Sequence, residues 1–461
     1  MNEVVEQEIP KFFSKEELEE LARESGFIIR KRNIDGATFI RLVCLNKDNL
    51  RKESLNDLTV TLRQEYDIEM TKQSLHKRFN EKAVLFLKMT LAKLLNRRIN
   101  RSRILPLASR FKRILIKDSV CFQIDESLLE HYPGSGGSGS KASVRIQFEY
   151  DMLSGLINDL GIYAFNEQDA TNSAATLDMT REGDLVIRDL AYMHLDALKG
   201  FIQRSVSFLC RLNTQTLVYQ QVKGEMKPVN FSLIVKRMVG FRVNSLVEDV
   251  YIGKKEKLPV RLFIYLMPQQ EYSERIRKAQ KKAKENGRSL TKEYKARAAL
   301  NLFITNVTDG SLTLNNAWTL YRMRWQIELV FKVWKSIWEI DEVKKVNKQR
   351  FECYILSKLI TISLCWQLVW RIGKTLYRLE GKMLSFIKAF KTLRRYVADL
   401  WFFFEKDEES VKKYFLKFYE TSRVNHLLET RGKQERSMEL LVASLLMAAS
   451  PSQEVELYSL G

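Results

Sequence analysis

Four polar side chains stand at fixed spacing in the stretch YRMRWQIELVFKVWK, residues 321–335: Tyr321, Arg324, Glu328 and Lys335. A single carboxylate, Glu328, sits among two arginines, two lysines and four aromatic residues. On a continuous helix, at 100° per residue, Tyr321, Arg324, Glu328, Lys332 and Lys335 fall within an arc of roughly 80°. Leu320, Met323, Ile327, Val330, Phe331, Trp334, Ile337 and Trp338 fill a neighbouring arc that predicts a buried face. An acid in such a stripe has two uses. It can pair with Lys332 one turn on, an exposed ion pair of small worth. Alternatively it can ligate a divalent metal while the surrounding cations hold phosphate.

The composition bears on what the surrounding cations could hold. The chain has 461 residues, with 76 Lys and Arg against 56 Asp and Glu, a net charge of +20. That excess suits a polyanionic partner, and an apolar share of 45% predicts sizeable cores rather than disorder. A membrane is a poor fit. Residues 1–10 carry Glu3, Glu6 and Glu8, unlike a signal peptide, and the best apolar run, Leu359–Trp370, is uncharged for only 12 residues. That run predicts a buried helix, and the chain reads as cytoplasmic. The five cysteines and four histidines are scattered without CxxC, HxH or HExxH spacing, so neither a zinc site nor a disulfide framework is indicated.

The elements that must position these residues come in blocks. Residues 14–100 read as helical, opened by a capping signal at Ser14 with Glu17 three residues on. Residues 54–79 predict a helix, a break at Asp67–Met70 and a second helix capped by Thr71. Leu55, Leu58, Leu62, Ile68, Leu75 and Phe79 would pack the pair, leaving Lys72, Gln73 and Lys77 outward as in a helix-turn-helix. Two ordinary packed helices give the same pattern. From residue 113 strands are expected at RILIKDSVCFQI and KASVRIQFEYDM, bridged by HYPGSGGSGS as a loop within one domain. Further strands are expected at GLINDLGIYAF, GDLVIRD, VSFLCRL, TLVYQQV, FSLIVKRM, LVEDVYIG, PVRLFIYLM and LNLFITNV. Helices are expected at Tyr192–Arg204, across Ser273–Arg297, through 321–335 and from about 351 onward. This order predicts an α/β core carrying a β-rich insertion.

Tyr, two residues, Arg, three residues, Glu, six residues, Lys, followed by SIWEID, resembles the signature of the insertion sequence 4 family of bacterial transposases. The resemblance implies a ribonuclease-H-like catalytic core with catalytic acids Asp, Asp and Glu, the last being Glu328. In the family the first Asp lies on strand one before a small residue, which selects Asp118 of IKDSVCFQI. Asp125 is the rival, but FQIDESLLEHYPGSGG resembles the family's stretch beyond the catalytic Asp. The second ends strand four in an RDLGY-like phrase, which selects Asp189 of IRDLAYMHL over Asp184 at the strand's far end. The implied division is 1–108, a helical DNA-binding region; 109–205 and 299–372, the split core; 206–298, the insertion; and 373–461, a helical region for dimerisation.

Cleavage and transfer of phosphodiesters require a charge clamp on the attacking and leaving oxygens. The resemblance implies two Mg2+ ions, replaceable by Mn2+, held by Asp118, Asp189 and Glu328. It implies that Tyr321, Arg324, Lys332 and Lys335 grip phosphates, as do Lys281 and Lys282 of the basic run at 275–297. The partner is double-stranded DNA, as element ends and target, bridged by a homodimer. Relatives that form DNA hairpins stack a flipped base on an insertion-domain tryptophan. None occurs here between Asp189 and Trp318, leaving Tyr219, Phe231, Phe241 or Tyr251 as substitutes. A non-catalytic DNA-binding regulator or domesticated relative, and an RNase-H-like nuclease, are the alternative readings. If the basic excess contacts DNA, duplex affinity falls on the order of 1,000-fold between 50 and 200 mM salt, through counterion release. A salt-independent affinity, measured by fluorescence anisotropy, would remove the electrostatic part of this reading.

Overall fold

The computed structural model describes residues 13–30, 34–46, 53–95, 111–134, 141–167, 169–213, 215–310, 312–324, 326–404 and 408–428. In chain order the helices α1 (Lys15–Glu24), α2 (Gly36–Cys44), α3 (Leu55–Tyr66), α4 (Lys72–His76) and α5 (Glu81–Leu95) come first. Strands β1 (Arg113–Gln123), β2 (Ser143–Asp151) and β3 (Ile157–Ala164) follow, then α6 (Asp169–Ala175), β4 (Asp184–Arg188), α7 (Leu195–Gln203) and β5 (Ser207–Arg211). Next are β6 (Val218–Val222), β7 (Glu225–Pro228), α8 (Phe231–Gly240), β8 (Ser245–Ile252), β9 (Leu258–Leu266), α9 (Gln269–Glu285), α10 (Lys292–Ala298) and β10 (Leu300–Thr305). The chain continues through α11 (Leu314–Met323), α12 (Gln326–Ser336), α13 (Lys348–Glu380), α14 (Phe386–Arg395) and α15 (Glu408–Asn425).

These elements form two compact units, one drawn from 1–105, 119–166 and 326–461, the other from 106–118 and 167–325. In the first, β1 contributes Ser119–Gln123 to the order β3-β2-β1, with β2 and β3 antiparallel. Helix α13 is 33 residues long, begins at the Asn347 cap and ends at Gly381 with φ +64. It is long and apolar enough to cross a membrane, yet 94% of its most apolar window is buried in the protein, as expected for the 359–370 run. Trp366 and Trp370 of α13, Phe331 and Trp334 of α12, and Phe148 and Tyr150 of β2 form one aromatic cluster. The caps anticipated at Ser14 and Thr71 are present, and Ser54 adds another. Ser14 and Glu17 form a reciprocal capping box, Ser54 does the same with Asp57, and the Thr71 side chain accepts from the Ser74 amide. Leu58, Leu62, Leu75 and Phe79 are buried, while Lys72, Gln73 and Lys77 face solvent.

In the second unit β1 contributes Arg113–Asp118 to the order β1-β4-β5-β10-β9-β8-β6-β7. β4 is parallel to both β1 and β5, and its residues are buried throughout, as the near-continuous apolar run LVI requires of an interior parallel strand. Leu115, Val186, Phe208, Leu262 and Ile304 pack with Ala197, Phe201, Phe231, Ile234 and Met238 of α7 and α8 into one core.

Three expectations are corrected. FSLIVKRM is the helix α8 rather than a strand: Asn230 caps it, and Phe231, Ile234 and Met238 recur at helical spacing on its buried side. The charged stretch 273–297 is two helices, because Gly287 adopts φ +63 and Thr291 starts a new cap. The stretch 321–335 is also two helices, with Arg324 closing α11. Trp318 and Tyr321 of α11 pack on Phe303 in the second unit, whereas Phe331 and Trp334 of α12 pack on Phe148 in the first. Burial of the two halves in different cores overrides the propensity for one continuous helix. The β7 strand went unanticipated, although Lys223-Gly224, both with positive φ (+50 and +83), form the two-residue turn that pairs it with β6. Of the HYPGSGGSGS bridge, residues 135–140 lie outside the described residues.

Gly155 provides a stability test. It holds φ +72, its carbonyl accepts a 2.8 Å bond from Trp366 Nε1, and an added Cβ would lie 2.5 Å from the Trp370 ring. Gly155→Ala is expected to cost about 2 kcal/mol or more in urea unfolding. Gly224→Ala, also at positive φ but with open space around it, should cost no more than about 1 kcal/mol. Equal losses at the two positions would show that backbone strain alone, rather than the tryptophan contact, sets the cost.

Candidate active site

The hydrogen-bonded register of β1 on β4 pairs Arg113 with Asp184 and runs to Ile116 with Ile187. Two residues further along these parallel strands come Asp118 and Asp189. Parallel pairing keeps side chains at matched positions on one face, with strands about 4.8 Å apart. Asp189 begins the 3-10 turn Leu190–Tyr192, yet its carboxylate caps no amide. The two acids are tied together by α11. Arg324 Nη1 donates to Asp118 Oδ2 at 2.9 Å, and its Nη2 lies 3.8 Å from Asp189 Oδ2. The Tyr321 hydroxyl donates to Asp189 Oδ1 at 2.8 Å.

Arg324 and Tyr321 are buried, whereas the two acids keep part of their side chains accessible, 22% for Asp118 and 35% for Asp189. Burial, then the neighbouring Asp189 charge, pushes the Tyr321 phenol above its ordinary pKa, so it remains a hydrogen-bond donor. Its ring is held 4.5 Å from that of Phe303 on β10, and Trp318 packs on the same phenylalanine. The sequence had suggested phosphate contacts for Tyr321 and Arg324. Their partners here are the acids themselves.

The rival carboxylates have structural partners. Asp184 is buried against Arg113 in a two-pronged pair, 2.5 Å to Nη2 and 2.9 Å to Nε, and accepts from the Arg181 amide at 2.7 Å. Asp125 caps the 3-10 turn Glu126–Leu128 through the Ser127 amide, and its pKa is lowered chiefly by that serine. The signal that separates these acids from Asp118 and Asp189 is position relative to strand ends and caps.

The remaining site residues distribute as follows. Glu328, Lys332 and Lys335 are exposed on α12 in the first unit, with Glu328 in the helix's first turn. Lys335 Nζ donates to the Cys121 carbonyl of β1 at 3.3 Å. Lys72, Gln73 and Lys77 are exposed on and just after the one-and-a-half-turn helix α4, and Lys281 and Lys282 are exposed on α9, which buries no residue. Of the four aromatics considered for base stacking, Phe231 is buried, Tyr219 lies under the Lys257 ammonium, Tyr251 is half-buried and Phe241 is 76% exposed. One side chain escaped the sequence reading: Lys117, buried next to Asp118, donates to Thr176 Oγ1 at 3.0 Å. A lysine within an otherwise apolar strand was its only signal.

The donor chemistry fits a divalent cation. Asp118 and Asp189 offer hard carboxylate oxygens side by side, around a cationic group already, as Mg2+ and Mn2+ sites require. Among the described residues no three His, Cys, Asp or Glu side chains form a ready-made metal cluster. Cysteine ligation has no support, since burial raises the thiol pKa of Cys44, Cys353 and Cys365, and that of Cys210 to about 12.

Strand orders β3-β2-β1 and β1-β4-β5, with β4 parallel to both β1 and β5, and an aspartate midway along β1 at the position matching the aspartate just past β4, define a ribonuclease-H-like core. The model of the Transposase DDE domain matches residues 109–364, and the chain belongs to that family. The transposase of insertion element IS231F from Bacillus thuringiensis subsp. israelensis is 31% identical over 448 residues, covering 94% of this chain and 92% of that protein. The IS231E transposase from B. thuringiensis subsp. finitimus is 30% identical, covering 92% and 90%. The IS1151 transposase from Clostridium perfringens is 29% identical, covering 91% and 93%. A solved piggyBac transposase synaptic complex with hairpin DNA aligns over 95% of this chain and 88% of that one, at 10% identity and a TM-score of 0.42. The chain is therefore an insertion-sequence DDE transposase, an enzyme that cleaves and joins DNA with divalent metal, and the insertion sequence 4 signature fits it.

The two aspartates of β4 should separate in stability. Asp184→Asn leaves Arg113 without its buried partner and is expected to cost about 3 kcal/mol. Asp189→Asn should shift the melting temperature only slightly. A larger loss at Asp189 than at Asp184 would place the structural role at the wrong end of the strand.

Proposed function

We propose that this enzyme is a cut-and-paste transposase that binds the terminal inverted repeats of its own element, with Asp118, Asp189 and Glu328 as the catalytic acids. The observation that carries the reading is the register of β1 on β4, which sets Asp118 beside Asp189 where Arg324 touches both. The spacing of Tyr321, Arg324, Glu328 and Lys335 supports the third acid. These carboxylates would hold two Mg2+ ions, which supply charge stabilisation to the attacking and leaving oxygens and for which Mn2+ can substitute.

The chain's own groups do the rest. Tyr321 fixes the orientation of Asp189, Arg324 balances the paired negative charge, and Lys332 and Lys335 neutralise the backbone of the bound end. Lys72, Gln73 and Lys77 read the repeat from the α3–α4 pair. Lys281 and Lys282 on α9 add phosphate contacts that carry affinity without sequence information. Water attacks the phosphodiester at each end and frees a 3′-hydroxyl, which then attacks the opposite strand or the target. Should a hairpin form, Phe241 is the exposed aromatic available to stack a base.

In this division residues 1–108 and 206–298 recognise the ends, and 109–205 with 299–372 carry the chemistry. Residues 373–461 join two copies into the homodimer that bridges the ends, working on chromosomal DNA in the cytoplasm.

Asp118→Asn, Asp189→Asn and Glu328→Gln should each lower nicking of an uncut element end by at least ~100-fold while retaining end binding. Asp125→Asn should remain active. Normal cleavage by Glu328→Gln at low Mg2+ would sink its assignment as a ligand, and an inactive, folded Asp125→Asn beside an active Asp118→Asn would transfer the role to Asp125.

A further inference from the structure

Two carboxylates on adjacent strands repel one another, and in this molecule the cation between them is a side chain. Arg324 is buried, bonded to Asp118 at 2.9 Å and 3.8 Å from Asp189, with its backbone at the residue that ends α11. The acids are partly accessible, and Asp189 is held separately by the Tyr321 hydroxyl at 2.8 Å. Asp189 thus keeps its orientation if the guanidinium leaves.

We propose that Arg324 acts as a gate on metal binding: it occupies the cation position between Asp118 and Asp189 until a DNA phosphate draws it away. The inference rests on the reading that these acids are the metal ligands and adds an order of events, DNA first and metal second. A fixed positive charge within 4 Å of both ligands opposes a divalent ion that needs the same oxygens. A phosphate is the group that competes for it, because guanidinium matches phosphate oxygens in the two-pronged manner in which it matches carboxylate. Tyr321 makes the exchange reversible by keeping one acid in place. The device would confine metal to enzyme molecules already on DNA and limit untargeted hydrolysis. Arg324 is in this sense a positioning residue.

The test measures Mn2+ binding to the full chain by electron paramagnetic resonance, with and without an element-end duplex whose own binding is subtracted. Wild-type protein should bind Mn2+ at least ~10-fold more tightly with DNA present. Arg324→Ala, checked for folding by its melting curve, should bind Mn2+ about as tightly without DNA as the wild type does with it. Should that variant fail to fold, the DNA dependence of the wild type decides the matter. Equal Mn2+ affinity with and without DNA, or no gain in folded Arg324→Ala, would overturn the gate. The Asp118→Asn/Asp189→Asn protein distinguishes the two levels. Loss of Mn2+ binding there leaves the ligand assignment intact whatever Arg324 does, whereas undiminished binding would refute that assignment and the gate with it.

Discussion

The parallel register of β1 against β4 is the constraint on which the site depends. Ile114–Ile116 and Leu185–Ile187 are buried, and a slip by one residue would turn each of them to the opposite face. The Arg113–Asp184 pair pins the same register at the opposite end of the strands. Once those contacts fix the alignment, Asp118 and Asp189 arrive at matched positions two residues further on. The apolar core therefore determines where the negative charge is concentrated.

Concentrating charge has a cost, and the packing around α11 meets it. The Tyr265, Phe303, Trp318 and Tyr321 rings lock this helix to the β9–β10 strands, so Arg324 and the Tyr321 hydroxyl reach the acids from a fixed direction. A buried guanidinium without such partners would be strongly disfavoured. On the proposed gate, the same cation that balances the pair in the folded protein is the one that yields when a metal enters.

Much of this was legible in the sequence, for identifiable reasons. Apolar runs mark β1 and β4, and Ser14 and Thr71 are capping residues whose chemistry is local, whereas only the family resemblance singles out Asp118 and Asp189 from other acids. The split at Arg324 was not legible, because no glycine or proline interrupts YRMRWQIELVFKVWK; only the burial of α11 and α12 in different cores breaks it. FSLIVKRM misled for a related reason: a short apolar run suits a strand or a helix equally, and the Asn230 cap decides. The Arg324 contacts join residues 206 positions apart in the chain, which no local pattern could reveal.

The central claim is that Asp118, Asp189 and Glu328 hold the divalent ions. The most direct measurement replaces Mg2+ with Fe2+ on the DNA-bound enzyme and adds ascorbate and peroxide. Hydroxyl radicals generated at the ion cut the polypeptide backbone beside its ligands, and the fragments are sized by mass spectrometry. The account predicts cuts clustered near residues 118, 189 and 328, suppressed by excess Mg2+. Cuts confined to the neighbourhood of Asp125 or Asp184, or none near 118 and 189, would contradict it.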